Sequence, residues 1–502
     1  MKLKQIGITY FRCFESLSIP LQPDVNVFVG VNGAGKTAIL DAMAMVLWDV
    51  VAANGGGGKR ERSAQNVSLR LSDINIPPNS TDSFGLAERR DFVQVRARAD
   101  NYYRVPNALE TAFEVSTPDL EWQEHISFKP PAGFSYDNRN SERLSAIYRY
   151  FDDIWQEIRK SGPKALISIP VVAYYRANRR LNSLPDLGQV FNIKIERHEA
   201  FRNALNAGAN YDAMLLWFYQ RENQELRERL QVRQDLAFQL PELEAVRSAI
   251  FKVIDDVENI AFGGSPPTLK IALKGKTALD LEQMSDGYRN LLALVMDFAR
   301  RLAQANPGWD NPLDAPGILL IDEIELHLHP RWQQQVIPKL QEAFPNTQLI
   351  VTTHSPQVVT TVESAGILIV ENGQVRQCPA PTFGARSSDV ISEVLGVPSL
   401  RPLSSELGEI LPDKAMCGLA GISPAEVEAL IVTCGLRAGR LNRARLAVIK
   451  GLEDCLANGD TEQQLAEEQI PSTDSLPAFF TTIRWMLGQN AEAHLQSIHF
   501  KG

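Results

Sequence analysis

The sequence predicts an α/β fold with a mixed central sheet, an antiparallel β subdomain, a helical insertion and a helical C-terminal region. Three observations predict it. The apolar run Val25 to Val29 leads straight into Gly30-Val31-Asn32-Gly33-Ala34-Gly35-Lys36-Thr37, a glycine-rich loop between a strand and a helix. Two further apolar runs, Gly317 to Ile321 and Leu349 to Val351, read as strands buried on both faces of a sheet. Much more chain separates these groups than a compact sheet needs, so material is inserted between them. The 502 residues, 44% apolar and 22% charged, suffice for two or three lobes.

Taken from the N-terminus, Ile6, Ile8 and Tyr10 alternate with other positions and read as an opening strand. In the loop after Val29, Gly33 and Gly35 let the backbone curl so that its N–H groups face a β-phosphate. Asn32, Gly33, Ala34, Gly35, Lys36, Thr37 and Ala38 are therefore the candidate phosphate cradle. Lys36 brings a positive charge to the β/γ oxygens, and Thr37 offers a hydroxyl to Mg²⁺. The cofactors this pattern calls for are ATP and Mg²⁺. A helix from Lys36 to about Trp48 is expected, with its positive end directed at the phosphates.

Gly55 to Gly58 reads as a mobile loop. Phe92 to Arg98 and Ala112 to Val115 alternate as antiparallel strands, placed on the adenine side of the nucleotide. From about Glu196 to Glu258 the pattern is helical, with an apolar cluster at Met214, Leu215, Trp217 and Phe218 and a break at Pro241. This reads as a helical hairpin. Its arginines, Arg221, Arg227, Arg229 and Arg233, alternate with Glu222, Glu225 and Glu228, the pattern of a solvated face.

Met284-Ser285-Asp286-Gly287-Tyr288-Arg289 precedes a long apolar helix, Asn290 to about Ala303. Ser285 takes the place of an N-cap, and Gly287 lets the helix start come close to an anion. Asp286 would repel a phosphate, so its side chain is expected to turn outward. Downstream, the strand Gly317 to Ile321 ends in Asp322-Glu323: Asp322 is placed to reach Mg²⁺, and Glu323 to orient or deprotonate an attacking water. A helix from Pro330 to Phe344 then leads to a last buried strand, which delivers His354 to the γ-phosphate.

These motifs together resemble the ABC-type AAA ATPases that include RecF, SMC-like and OLD-like proteins. Met284 to Arg289 stands where that family has its Leu-Ser-Gly-Gly-Gln signature, with Asp286 in place of a glycine and Tyr288 in place of the glutamine. Ile8 to Phe14, Val171 to Arg179, Glu323 to Pro330 and Thr382 to Ser388 sharpen the match. It is strongest to the PtuA-type ATPases of the Septu and retron antiphage systems, over most of residues 1–400. The resemblance implies a head-to-tail dimer around two ATP molecules, in which Ser285 and Gly287 of one chain address the nucleotide of the other. It implies that Arg12 approaches the nucleotide from the first strand and that His329 lies near the place of the family's D-loop aspartate, where it reports across the dimer. A Q-loop glutamine is not evident; Asp73 is the candidate in its place, against a cap or turn acid. It further implies bacterial defence, higher assembly and a separate HNH nuclease partner, PtuB. In retron versions a reverse transcriptase with its non-coding DNA joins them.

The resulting division is residues 1–80 for an N-terminal ATPase lobe, 81–195 for the β subdomain and a connecting core strand, and 196–265 for the helical insertion. Residues 266–400 form the C-terminal ATPase lobe and 401–502 a helical partner-binding region. In this last part Ser423 to Glu426 reads as a capping box. Arg437, Arg440, Arg443, Arg445 and Lys450 suit either nucleic acid or an acidic partner, or form a plain exposed surface. No metal site of a Toprim or His-Asn-His nuclease is visible in the sequence, so the chain is expected to cut nothing itself. Five scattered cysteines without a Cys-x-x-Cys pair read as buried reduced thiols. A net charge of −9 argues against a wholly basic nucleic-acid coat. With no apolar signal core or membrane span, a cytoplasmic protein is expected. A RecF-like clamp for DNA repair is the alternative reading. A transporter motor and ATP held as structural glue with negligible turnover fit the motifs less well.

Overall fold

Strands β1 (Leu3–Phe11) and β2 (Phe14–Pro20) carry exposed and part-exposed residues among their buried ones, whereas β3 (Val25–Val29) is buried at all five positions. That difference sends them to different sheets. β1 and β2 join β4 (Phe92–Ala99), β5 (Leu120–Lys129) and β6 (Gly133–Tyr136) in an antiparallel sheet of order β2-β1-β4-β5-β6. β3 enters a six-stranded sheet with β7 (Val171–Tyr175), β10 (Gly317–Ile321), β11 (Thr347–Thr353), β12 (Ile367–Glu371) and β13 (Gln374–Gln377). Its order is β13-β12-β3-β11-β10-β7, and only β13 runs antiparallel to its neighbour. Between β7 and β10 in the chain, β8 (Val257–Gly263), β9 (Thr268–Leu273) and the short strand Leu279–Asp280 make a separate three-stranded antiparallel sheet.

The computed structural model describes residues 1–55, 73–75, 92–100, 104–105, 113–114, 119–129, 133–136, 141–162, 167–179, 187–188, 195–209, 211–265, 267–387, 390–391 and 394. The chain separates into two units, Met1–Val390 and Ile391–Gly502. Everything that follows concerns the first. The expectations for residues 401–502, for Gly56 to Gly58 and for Cys417, Cys434 and Cys455 lie outside the described residues.

Helix α1 (Lys36–Ala53) is buried on every side from Ala38 to Val51, because it lies between the two sheets. Trp122 of β5 donates its indole N–H to Val46 O at 2.8 Å, and Tyr174 of β7 donates its hydroxyl to Asp41 at 3.1 Å. The helix runs five residues beyond the expected end at Trp48, because Val50 and Val51 stay apolar and buried. Each fully buried Ile, Leu or Phe is worth about 1.5–3 kcal/mol over leaving it in water. The loops at the strand ends therefore inherit their geometry from a close-packed core.

The other helices differ from expectation in instructive ways. α2 (Ser141–Ser161) packs on α1 and β5. α3 (Asp212–Arg227) continues through a π-helical turn, Glu228–Val232, before α4 (Pro241–Val253). Pro241 opens α4 at its first turn, where a missing N–H costs nothing. The arginine–glutamate pattern is not simply a solvated face. Glu225 is 1% exposed and accepts from Arg229 at 2.8 Å, Arg247 at 3.0 Å and the Leu240 N–H at 2.8 Å. β8 falls inside the stretch expected to be helical to residue 265. Likewise β1 pairs with β2 on one side and β4 on the other, so the antiparallel sheet draws on both sides of the boundary drawn at residue 80. Of Ala112 to Val115, Phe113–Glu114 is a strand, paired with Arg104–Val105. α5 (Asp286–Ala305) begins four residues before Asn290. The helix expected over Pro330 to Phe344 is broken into a turn, Pro330–Gln333, and α6 (Val336–Ala343). Among the described residues no helix is long and apolar enough to cross a membrane.

Candidate functional site

Parallel strands deliver their C-terminal ends to one edge of a sheet, and that edge is where such sheets bind ligands. Here β3 ends in the glycine-rich loop, β7 in Arg176 and Arg179, β10 in Asp322 and Glu323, and β11 in His354. The register of the central strands holds these ends side by side.

The loop from Gly30 to Thr37 turns into α1 at Gly35, whose φ of 105° suits glycine. A Cβ there would lie 2.6 Å from both Cys13 Sγ and Phe14 Cζ, so the loop also needs a bare backbone. Asn32 and Gly33 are exposed, Ala34 is half-buried, and Ala38 is buried in the first turn of α1. Lys36 is 6% exposed and donates to Gly30 O at 2.9 Å and Val31 O at 3.0 Å. Burial pushes its ammonium below the usual lysine range, while Asp322, Glu325 and Glu323 oppose that shift. The Thr37 hydroxyl lies 3.1 and 3.0 Å from the two Asp322 carboxylate oxygens. A hydroxyl beside a carboxylate is a hard oxygen donor pair, which fits Mg²⁺, since that ion needs only one or two protein oxygens beside phosphates and water.

Asp322 and Glu323 are held by groups the sequence reading did not assign. Thr352 Oγ1 donates to Asp322 Oδ1 at 2.6 Å and accepts the Glu323 N–H at 2.8 Å. Arg179, 4% exposed, donates to Asp322 O at 2.6 Å and to Glu323 O at 2.8 Å. This clamp secures Glu323 at a φ of 49°, a left-handed conformation uncommon outside glycine. Glu325 accepts the His354 backbone N–H at 2.6 Å and the Thr353 hydroxyl at 2.7 Å. Burial and then Lys36 press the His354 imidazole below its ordinary pKa, against Glu325, Glu323 and Asp322. A depressed histidine is neutral at pH 7, so it can share a proton with a phosphate oxygen without charging first. Polar and charged residues directly after the buried strand Val171–Tyr175 were the signal that would have flagged Arg176 and Arg179.

Arg179→Ala is expected to lower the turnover number by about tenfold or more while changing ATP affinity much less, because small displacements of a reacting group cost rate rather than binding. Steady-state phosphate release beside equilibrium binding checks it. A change in affinity alone would remove Arg179 from this positioning task.

Arg12 follows β1 at a φ of 50°, next to Cys13, whose sulfur lies 3.9 Å from Ala34 O of the phosphate loop. Its guanidinium binds Asp41 at 2.7 Å and Asp73 at 2.9 Å. Burial would lower its pKa, but the two carboxylates outweigh burial and raise it. Asp41 also accepts from Arg176 and from the Tyr174 hydroxyl, so this cluster ties β1, α1 and β7 together. Asp73 is thus placed as the partner of Arg12. Cys13 is exposed, which corrects the expectation of a buried thiol; Cys378 is buried.

The remaining candidates sit elsewhere. Ser285 occupies the N-cap position of α5, with φ −63° and ψ 153°, but its side chain makes no capping bond. Asp286 turns outward, 67% exposed, and pairs with Arg289. Gly287 has a steric requirement that the sequence does not announce. A Cβ there would lie 2.1 Å from His327 O, so the helix start packs directly on the chain that follows Asp322-Glu323. His329 caps the turn Pro330–Gln333 by accepting the Arg331 N–H at 3.3 Å. Further along α5, Asp297 pairs within the helix with Arg300 at 2.7 Å and Arg301 at 2.8 Å, and it ties the helix to β7 by accepting the Tyr175 hydroxyl at 2.8 Å.

A phosphate loop, an Asp-Glu strand end and a histidine on the next parallel strand are the parts of a P-loop ATPase. Residues 25–360 match the family described as "AAA domain, putative AbiEii toxin, Type IV TA system", and the chain belongs to that family. It is similar to the Retron Ec83 probable ATPase of Escherichia coli, 29% identical over 451 residues, 82% of this chain and 79% of that one. The Retron Vc95 probable ATPase of Vibrio cholerae serotype O1 biovar El Tor is 24% identical over 438 residues, 78% of each chain. The Septu protein PtuA of Bacillus mycoides is 47% identical over 76 residues, 15% of this chain and 10% of that protein.

Proposed function

We propose that the chain is the ATP-hydrolysing regulatory subunit of a bacterial antiphage complex, and that it works as a head-to-tail dimer closed on two nucleotides. One observation carries the dimer. Ser285 lines a cleft formed with Lys276, Tyr288, His327 and Arg331, and neither Lys36, Thr37, Asp322, Glu323 nor His354 lines that cleft. A signature separated from its own phosphate loop finds a triphosphate by meeting the loop of a second chain.

In each composite site the backbone of Asn32 to Ala38, with Lys36, binds the phosphates. Thr37 and Asp322 are the residues that would hold Mg²⁺, which would supply neutralisation of phosphate charge. Glu323 orients and deprotonates water, and His354 contacts the γ-phosphate. Ser285 and Gly287 come from the partner. Closure depends on contacts that the triphosphate makes across the dimer and that are lost after hydrolysis. Because Gly287 packs on His327 O, any shift in the segment from Glu323 to His327 reaches the signature directly. Arg12 supports the site through Asp41 and Asp73.

The retron and Septu relatives support the defence role, with a PtuB-like HNH nuclease as the controlled partner and, in a retron setting, a reverse transcriptase with its non-coding DNA. The purified chain with Mg²⁺ or Mn²⁺ is expected to leave DNA and RNA intact. Cleavage should require the added HNH protein and should change when ATP is supplied. Robust cleavage by the chain alone, lost on substituting a C-terminal acid, overturns this. Salt-sensitive binding to gapped DNA without any nuclease partner would instead favour the repair-clamp reading.

A further inference from the structure

The cleft beside Ser285 has a volume of about 590 Å³. Lys274 and Lys276 project from the turn that follows β9, and Arg331 comes from the turn after His329. All three are exposed, and among the described residues none forms an ion pair. Their neighbours behave otherwise: Lys270 pairs with Asp280 at 2.7 Å and Lys339 with Asp255 at 2.5 Å. The acid in the lining is Asp256. Tyr288 packs on Trp332 with ring centres 5.0 Å apart and is 8% exposed, and its hydroxyl is buried without a hydrogen-bond partner. The cleft therefore gathers three cations without an ion-pair partner, against one acid, and an unanswered hydroxyl around the serine, and a buried hydroxyl is costly until a ligand oxygen answers it.

We infer that this cleft is a polyphosphate site acting in trans, in which Lys276 and Arg331, with Lys274 and the Tyr288 hydroxyl, bind the phosphates of the nucleotide held by a second copy of the chain. This rests on the sandwich reading and adds to it. Asp286 places a negative charge where a neutral signature has none, and Arg289 answers it within the same helix. The approaching triphosphate still meets that helix start, and the cations of the cleft supply the attraction it needs. Lysine and arginine around phosphate are worth far more once water is expelled between two chains than on an open surface.

Subunit mixing tests it. Lys276→Ala/Arg331→Ala, a change of two exposed side chains, is expected to lower ATP turnover at least tenfold while the nucleotide affinity of its own phosphate loop stays near wild type. Lys36→Ala is inactive for the opposite reason. In an equimolar mixture half the dimers are mixed, each with one fully intact composite site, so about a quarter of wild-type turnover should return. A parallel mixture of Ser285→Arg with Lys36→Ala reports on the sandwich itself. Recovery in both mixtures supports the inference. If the Ser285→Arg mixture recovers and the Lys276→Ala/Arg331→Ala mixture does not, the cations act within their own chain and the inference fails while the sandwich stands. Full activity of the double variant alone also overturns it. Failure of both mixtures removes the sandwich and the inference with it.

Discussion

Replacing Lys36 with alanine is expected to weaken ATP binding by about 10- to 100-fold, the worth of one or two hydrogen bonds from a charged donor to phosphate. The structure separates this loss from unfolding. Lys36 is buried, and burial is the largest influence on it, lowering its pKa in the folded chain. A lysine whose folded pKa is depressed opposes folding wherever it is protonated, including pH 7, and ceases to do so only as pH rises through the folded value. Removing the ammonium therefore takes away a buried charge and should not lower the melting temperature of the nucleotide-free protein. Of the two carbonyls that lose their donor, that of Val31 lies on a residue 63% exposed, where water can replace the ammonium, while that of Gly30 is buried and offsets part of the gain. What should shrink is the upward shift in melting temperature that ATP gives the wild type by mass action, and it should reappear only at about 10- to 100-fold higher ATP. Calorimetric titration and thermal scans with and without ATP check both halves. An unchanged affinity would refute the phosphate-loop assignment.

The parts of the site that could be read from the sequence are those whose chemistry lies within a few consecutive residues. Gly30 to Thr37 carries strand end, turn and helix start together, and Asp322-Glu323 and His354 each end an unmistakable buried strand. The parts that could not be read are contacts between distant stretches. Arg179 reaches Asp322 across 143 residues, and Tyr174 reaches Asp41 across 133. Nothing in their local spacing announces a partner. Gly287 shows a subtler limit. A glycine near a helix start is legible as room for an anion, but the sequence does not show that the His327 carbonyl also needs that bare backbone. The hairpin arginines show another: alternation with glutamate looks the same whether the pairs face water or, like Glu225 with Arg247, are buried between two helices. Only the packing distinguishes these, and packing is set by residues elsewhere in the chain.

Glu323→Gln is expected to lower ATP turnover by about 100- to 1,000-fold, within the range that a positioned base contributes, with ATP binding retained. Three carboxylates cluster at this edge of the sheet, and their hydrogen bonds decide between them. Asp322 is engaged by Thr37 and Thr352. Glu325 gives one oxygen to the His354 N–H and the other to Thr353. The Glu323 carboxylate makes no hydrogen bond among the described residues, so its lone pairs stay open to a water, while its backbone is fixed by Thr352 and Arg179. Glutamine keeps that backbone tether and the side-chain shape and loses only the basic oxygen. The variant should therefore still close, and because closure is consumed by hydrolysis, an ATP-dependent dimer should accumulate on size-exclusion chromatography where the wild type shows only a transient one. A single turnover followed by rapid quench would place the defect at the chemical step. Undiminished phosphate release in the variant would take the base away from Glu323, and with Asp322 and Glu325 already engaged it would point to a water activated by the phosphate itself.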